Sequence, residues 1–274
     1  MSAWWLAHAG LTRFLVVSGL LLVLLLCQRA WPTRGDAPVR GRRWRNVGLA
    51  VVSTLLVYLI LPLTAVAFAW EMTSRDIGLL AMIDAPAVVE FATSIVVLDM
   101  AIYWQHRWFH VIPQLWRIHR VHHSDLQFEV TLGLRFHPVE ILLSMLYKFA
   151  VIAALGPSVA AVAVYEILLA AFALLTHADV AIPPAWDRQL RRVLVTPDWH
   201  RVHHSVHRDE TDSNYGNILS LWDRLFRSHI EQPRDGHRGM QIGLPRFRAP
   251  QEQTLIALLR QPLADDTLLP PSNP

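Results

Sequence analysis

The chain has 274 residues, of which 53% are hydrophobic and only 17% are charged, and its mean hydropathy is +0.29. A soluble globular domain carries about 25% charged residues, so the composition favours a membrane protein. The net charge of +3 comes from arginines that flank apolar runs or lie inside histidine motifs, which argues against nucleic acid as a partner. Cys27 is the only cysteine, which excludes a disulfide within the chain.

Five apolar segments are long enough to cross or nearly cross a bilayer core of roughly 30 Å. They cover residues 14–31, 47–70, 91–104, 139–155 and 158–176. The last two meet at Gly156-Pro157, which predicts a tight hairpin. The sequence therefore predicts an all-α integral membrane protein with about five spans and a cytoplasmic, histidine-rich helical cap.

The charges of the loops predict the orientation of the spans. The first connection carries six arginines against the single acid Asp36, so it is expected in the cytoplasm. The second connection, residues 71–90, carries four acids against Arg75 and is expected outside. Counting spans then places residues 106–123, and everything from His177 onward, on the cytoplasmic face of the membrane.

Three histidine clusters carry the candidate chemistry. The hexapeptide His-Arg-Val-His-His-Ser occurs twice, at residues 119–124 and 200–205, and places imidazoles at i, i+3 and i+4 on one helical face. Imidazole is the commonest nitrogen ligand for transition metals, and eight exceed the needs of one ion. We therefore predict two metal ions in one site. The eight clustered ligands are His106, His110, His119, His122, His123, His200, His203 and His204.

Five further residues are candidates for the site. His137 precedes the fourth span and His177 follows the fifth, so either is expected as a ligand, a helix cap or a substrate contact. Glu140 and Asp179 are candidates to orient imidazoles. Asp99 lies within the third span, where a carboxylate is costly, and we expect it to support the site or carry protons unless it pairs with a neighbouring helix.

The histidine set resembles that of the fatty acid hydroxylase superfamily, also called the sterol desaturase family. Supporting motifs are Arg-Phe-His-Pro-Val-Glu at residues 135–140 and Val-Thr-Pro-Asp-Trp-His at residues 195–200, while residues 210–226 look like bacterial members. The resemblance implies a membrane non-haem di-iron enzyme that uses O2 and two electrons to hydroxylate or desaturate a lipid, such as a fatty acyl chain or a sterol. It also implies a separate electron donor, ferredoxin or cytochrome b5-like, and zinc can replace iron during purification.

This resemblance divides the chain into three predicted parts. Residues 1–90 are N-terminal spans outside the family core, residues 91–230 form the catalytic domain, and residues 231–274 form a C-terminal tail with one helix over 251–260 and a disordered end. Three rival interpretations stay open. They are a zinc hydrolase, although His-Glu-x-x-His is absent, a metal transporter, and a non-catalytic metal- or lipid-binding membrane protein.

Overall fold

The computed structural model describes residues 2–83 and 85–265, and this part of the chain is helical. Its only strand-like pairs are two isolated bridges. The α-helices are α1 (Ser2–Ala30), α2 (Arg42–Ile60), α3 (Ala65–Ser74), α4 (Ala87–Val111), α5 (Pro113–His123), α6 (Pro138–Leu155), α7 (Val159–Thr176), α8 (Pro184–Leu190), α9 (Pro197–His203), α10 (Arg208–Thr211), α11 (Leu221–Leu225), α12 (Gly236–Gly239) and α13 (Leu255–Arg260). Short 3₁₀ helices cover Leu79–Met82, Val130–Leu134, Pro250–Gln253 and Gln261–Leu263.

Within residues 2–83 and 85–265, five helical segments are long and apolar enough to cross a membrane, as predicted. They are Ala3–Ala30, Arg42–Met82, Ala87–Val111, Pro138–Leu155 and Val159–Thr176. At about 1.5 Å per residue, even the 18-residue helices α6 and α7 approach the thickness of the hydrocarbon core. The prediction of an all-α integral membrane protein is confirmed.

The apolar segment over residues 47–70 does not form one continuous helix. Helix α2 ends at Ile60, and the chain is extended through Leu61–Thr64 before α3 begins. Pro62 lacks the N–H that would continue the helical ladder, which accounts for the break. Thr64 then caps α3, because its hydroxyl oxygen accepts a hydrogen bond of 3.1 Å from the N–H of Ala67.

The two ends of the helical bundle can be told apart by their connections. Gly156, with φ of 67°, closes the α6–α7 hairpin and touches Gly78, where a Cβ atom would lie 2.3 Å from Gly156 Cα. The acidic connection therefore lies at the hairpin end. At the opposite end, Arg34 of the arginine-rich connection donates its N–H to Asp179 just beyond α7. That end also carries the three histidine clusters, so the relative placement expected from the loop charges is found.

The described part of the predicted C-terminal tail, residues 231–265, packs against the rest of the molecule. Arg120 donates a hydrogen bond of 2.7 Å to the carbonyl of Gln261, and the side chain of Gln253 donates one of 2.9 Å to the carbonyl of Ser124. The helix expected over 251–260 is found as the 3₁₀ helix Pro250–Gln253 followed by α13. The end predicted to be disordered, residues 270–274, lies outside the described residues.

Candidate metal centre

Four segments bring the histidines to one end of the bundle. Helix α4 carries the first pair close to its C-terminal end, α5 carries the first hexapeptide, and α9 with its following residue carries the second. Both α5 and α9 begin with a proline at the first helical turn, where the missing N–H costs nothing. Thr196 also caps α9, because its hydroxyl oxygen accepts a hydrogen bond of 3.3 Å from the N–H of Trp199. His177 follows α7 directly and supplies the ninth imidazole.

The nine imidazoles divide into two groups, and within each group the possible ligand nitrogens all lie within 4.8 Å of one another. The five-histidine group consists of His106, His110, His119, His123 and His203. The four-histidine group consists of His122, His177, His200 and His204. Each hexapeptide thus gives its i and i+4 imidazoles to one group and its i+3 imidazole to the other. This exchange gives a structural reason for the repeated hexapeptide, because each copy contributes to both groups.

The four-histidine group has the dimensions of a metal site. The Nε2 atom of His177 lies 3.1 Å from the Nε2 atoms of His122, His200 and His204, and the last two lie 3.3 Å apart. Metal–imidazole bonds of about 2.0–2.1 Å in a tetrahedron place nitrogens roughly 3.3 Å apart. Four nitrogen lone pairs facing one another repel unless a cation lies between them.

In the five-histidine group the inward nitrogens lack partners. The Nε2 atoms of His110, His119, His123 and His203 are buried and make no hydrogen bond within the described chain. A buried polar nitrogen without a partner is costly, and a metal ion would satisfy all four atoms together. Both groups therefore fit metal ions through the chemistry of their donor atoms.

The outward nitrogens of six imidazoles are held by acceptors. The Nδ1–H of His119 donates to Glu140 at 2.7 Å, and that of His110 donates to Asp212 at 3.2 Å. The other four donate to backbone carbonyls, as His106 does to Tyr215, His122 to Arg135, His177 to Ala173 and His203 to Ser213, at 2.6–3.2 Å. An acceptor at Nδ1 fixes the proton there and leaves the Nε2 lone pair for a metal.

Burial keeps six of the nine imidazoles neutral. Burial, reinforced by the neighbouring imidazoles, lowers the pKa of five of them well below the ordinary value of 6.5. These five are His122, His123, His200, His203 and His204. Burial also lowers the pKa of His177 to about 4. Neutral imidazole is the form that binds a metal, so the site is ready for ligation at neutral pH.

A buried network of charged side chains contacts the first hexapeptide, residues 119–124, and the residue that follows it. Arg42 of α2 donates to Asp125 at 2.6 Å, and Asn46 donates to the other oxygen of that carboxylate at 3.0 Å. Burial alone would raise the pKa of Asp125, but the guanidinium groups of Arg42 and Arg135 lower it to about 2. Arg135 also donates to the carbonyl of Val121 within the hexapeptide. The N-terminal spans therefore contribute directly to the support of the site.

His137 and Asp179, both candidates for the site, make hydrogen bonds away from the clustered imidazoles. His137 lies outside both groups and caps α6, where its Nδ1 accepts from the N–H of Val139 and its Nε2–H donates to the carbonyl of Leu259, both at 3.2 Å. Asp179 accepts from the backbone N–H groups of Arg34 and Gly35 instead of orienting an imidazole.

Asp99 joins α4 to the cap. It accepts hydrogen bonds from the indole N–H of Trp222 at 2.8 Å and from the N–H of Leu219 at 3.1 Å. These hydrogen bonds agree with the alternative interpretation of Asp99, in which its carboxylate pairs with a neighbouring segment. Asp99 therefore holds the segment around α11 in place.

The sequence did not reveal several residues that hold the imidazoles. Asp212 and Tyr215 were not singled out as candidates for the site, yet one supplies a carboxylate to His110 and the other a carbonyl to His106. Gly133 was also missed, although a Cβ atom there would lie 2.2 Å from the carbonyl oxygen that orients His177. Backbone carbonyls are the same in every residue, so side-chain motifs do not indicate which of them will serve as acceptors.

Comparison with known proteins identifies relatives. The alkylglycerol monooxygenase of Homo sapiens is 29% identical over 208 residues, which are 75% of this chain and 44% of that protein. The alkylglycerol monooxygenase of Danio rerio is 35% identical over 129 residues, covering 47% of this chain and 28% of the relative. The ornithine lipid hydroxylase OlsE of Rhizobium tropici is 30% identical over 149 residues, covering 54% and 44%.

The chain thus spans less than half the length of these relatives. No solved structure matches it significantly. The sequence profile of the family described as Fatty acid hydroxylase matches residues 91–228, which hold all nine clustered imidazoles and the segments that orient them. The protein belongs to the fatty acid hydroxylase family.

Proposed function

We propose that this protein is a membrane-bound non-haem di-iron oxygenase that hydroxylates a lipid, or desaturates one, with O2 and electrons from a separate ferredoxin or cytochrome b5-like donor. The observation that carries the proposal is the division of nine imidazoles, eight of them buried, into two adjacent groups whose possible ligand nitrogens lie within 4.8 Å of one another. Nitrogen-rich sites of this kind suit iron, and zinc binds them as well.

The residues of the chain would prepare the site for that chemistry. Iron ions bound there would activate O2 to attack an unactivated C–H bond, which no side chain can do alone. The six outward acceptors hold the imidazole rings in one tautomer and one orientation. Close packing of the rings on one another and on Phe136, which stacks on His122 at 4.5 Å, leaves little room for bulk water.

The names of the relatives support hydroxylation of a polar lipid. Two kinds of relative are named for alkylglycerol and for ornithine lipid, both of which join an apolar chain to a polar head. The two histidine groups lie at the ends of spanning helices α4 and α7, where an apolar chain could approach from the bilayer. We propose alkylglycerols and ornithine lipids as the first substrates to assay.

The rival interpretations have less support. A metal transporter needs ligands along a path through the membrane, whereas the nine imidazoles gather at one end of the bundle. A zinc hydrolase needs a base beside its metal, and the carboxylates nearest the imidazoles are engaged with imidazole N–H groups. Activity of the purified protein separates the oxygenase from a non-catalytic metal- or lipid-binding protein.

The test uses purified, iron-loaded protein in lipid vesicles with a reduced donor and isotopically labelled O2. We expect two irons per chain and either a hydroxylated lipid that carries one labelled oxygen atom or a desaturated lipid, with both labelled oxygen atoms released as water. His122→Ala and His203→Ala, one from each group, should lose metal and activity while still inserting in the membrane. His8→Ala serves as the control, because His8 lies on α1 and bonds only to the carbonyl of Trp4. Full activity in either cluster variant would refute the assignment.

We also propose that the metal centre faces the cytoplasm of a bacterial inner membrane. The arginine-rich connection lies at the same end as the histidines, and positive loops favour the cytoplasmic side. A reporter enzyme that works only in the cytoplasm should be active when it is fused after residue 265, and one that works only in the periplasm should be inactive there. Activity of the periplasmic reporter would contradict the proposed orientation.

A further inference from the structure

Two cap helices expose large apolar side chains. On α8 and the turn after it, Trp186, Leu190 and Val193 recur at i, i+4 and i+7 and therefore lie on one side. On α11, Leu221 and Leu225 recur at i and i+4. Trp186 is 67% exposed and Leu225 is 64% exposed, and the other three are also among the exposed large hydrophobic residues. We call these five side chains the cap apolar face.

The two helices stand side by side, so these side chains belong to one surface. The N–H of Ser220 donates to the carbonyl of Val193 at 3.0 Å, and Arg224 donates to the carbonyl of Arg191 at 3.2 Å. The opposite sides of both helices are buried in the cap, where Asp187 pairs with Arg191. Each helix therefore has a buried side and an exposed apolar side.

This surface is continuous with a membrane-spanning helix. Trp222 of α11 donates its indole N–H to Asp99 at 2.8 Å, and Asp99 lies midway along α4. The distance along α4 from Asp99 to Val111 is about 18 Å by helical rise. Phe226 packs on Trp104 of the same helix with ring centroids 4.8 Å apart. Helix α11 therefore lies beside the hydrocarbon-crossing part of α4 and not above it.

The charges beside the apolar side chains suit a lipid surface. Arg188 on α8 and Arg192 in the turn after it are exposed and lie on the flank away from Trp186. The only acid of α8, Asp187, is buried and paired, so the exposed flank is basic. A short helix with an apolar stripe and a basic flank has the pattern of a helix that lies in the interface of an anionic membrane.

We propose that the cap apolar face is embedded in the leaflet on the side of the metal centre, among acyl chains, with Arg188 and Arg192 at the level of anionic headgroups. The cap is then partly a membrane-immersed structure and not a domain standing wholly in water. This inference concerns the surface alone and holds or fails independently of the proposed oxygenase activity.

Site-directed spin labelling tests the depth of this surface. Because Cys27 is the only cysteine, Cys27→Ala gives a background for single labels at Leu225→Cys, Val193→Cys, Arg192→Cys and, as the control, Asp209→Cys on the polar side of the cap. The full chain, prepared with diamagnetic zinc, is placed in vesicles of phosphatidylcholine and phosphatidylglycerol. Collisions with O2, which concentrates in the bilayer, are compared with collisions with chromium oxalate, which stays in water.

The proposal predicts an order of depths. Labels at Leu225 and Val193 should collide several-fold more with O2 than with chromium oxalate and lie about 5–10 Å below the headgroup boundary. The label at Arg192 should lie near that boundary, and the label at Asp209 in water. Labels at Leu225 and Val193 that match Asp209 would overturn the proposal. Shielding from both reagents with spin–spin broadening would also overturn it, because the face would then contact a second copy.

Discussion

The carboxylate of Glu140 offers a quantitative test of how the chain supports the metal centre. Its Oε1 atom accepts the Nδ1–H of His119 at 2.7 Å, and the two side chains are only 6% and 3% exposed. Glu140→Gln keeps the shape of the side chain but removes its charge. Losing such a partner of a ligating imidazole costs about 10–100-fold in metal affinity, which corresponds to roughly 1.4–2.8 kcal/mol.

Asp212→Asn is the matched comparison. Its bond to His110 is longer, at 3.2 Å, its side chain is 32% exposed, and it also binds Arg208 at 2.6 Å. Solvent screening and the shared partner should reduce the loss to less than about tenfold. The ratio of the two effects therefore tests the reasoning better than either loss alone.

The assay is competitive metal binding by metal-free protein, with bound metal measured by elemental analysis. Glu140 also lies in the first turn of α6, where a negative charge adds about 0.3–1 kcal/mol to helix stability. Thermal unfolding of the metal-free variant measures that contribution separately. Wild-type affinity in Glu140→Gln, or a larger loss in Asp212→Asn, would refute the explanation.

Three other variants or conditions probe the same centre. Gly133→Ala should displace the Ala173 carbonyl that orients His177, lower the stability by about 1–3 kcal/mol and release metal. Gly239→Ala is the control, because there is open space around Gly239, and it should change neither stability nor metal content. Unfolding experiments and metal analysis of both variants check this. His137→Asn should keep full metal content and the cap of α6, so metal loss would return His137 to the ligand set. Metal-free protein should unfold more easily as pH falls below about 6.5. The buried imidazoles resist protonation, so below that pH the unfolded chain binds more protons than the folded chain does, which favours unfolding. For His177 this effect grows until the pH reaches its folded pKa of about 4. An unfolding temperature that is unchanged between pH 7.5 and 5 would contradict this.

Local patterns in the sequence were sufficient for much of the architecture. The number of spans and the hairpin at Gly156 depend on apolar length and on turn residues, all of which act over a few positions. The break at Leu61–Thr64 is a partial exception, since Pro62 signals it but the long apolar run conceals it.

The eight clustered histidines were evident from sequence because helical spacing at i, i+3 and i+4 determines which rings share a face. Their division into groups of five and four was not, because it depends on how α4, α5 and α9 cross in space. The same is true of His137, whose position beside a span was correct but whose ring turns to its own helix and to Leu259.

The sequence by itself determined that this is a membrane protein of about five helical spans with a histidine-rich centre at one end, since hydropathy and periodicity are local properties of the chain. The tertiary structure alone decided which acceptors hold six of the imidazoles, that Asp99 ties α11 to α4, and that the cap exposes an apolar face. Those features arise from contacts between residues as many as 123 positions apart, several of them through backbone atoms that all residues share.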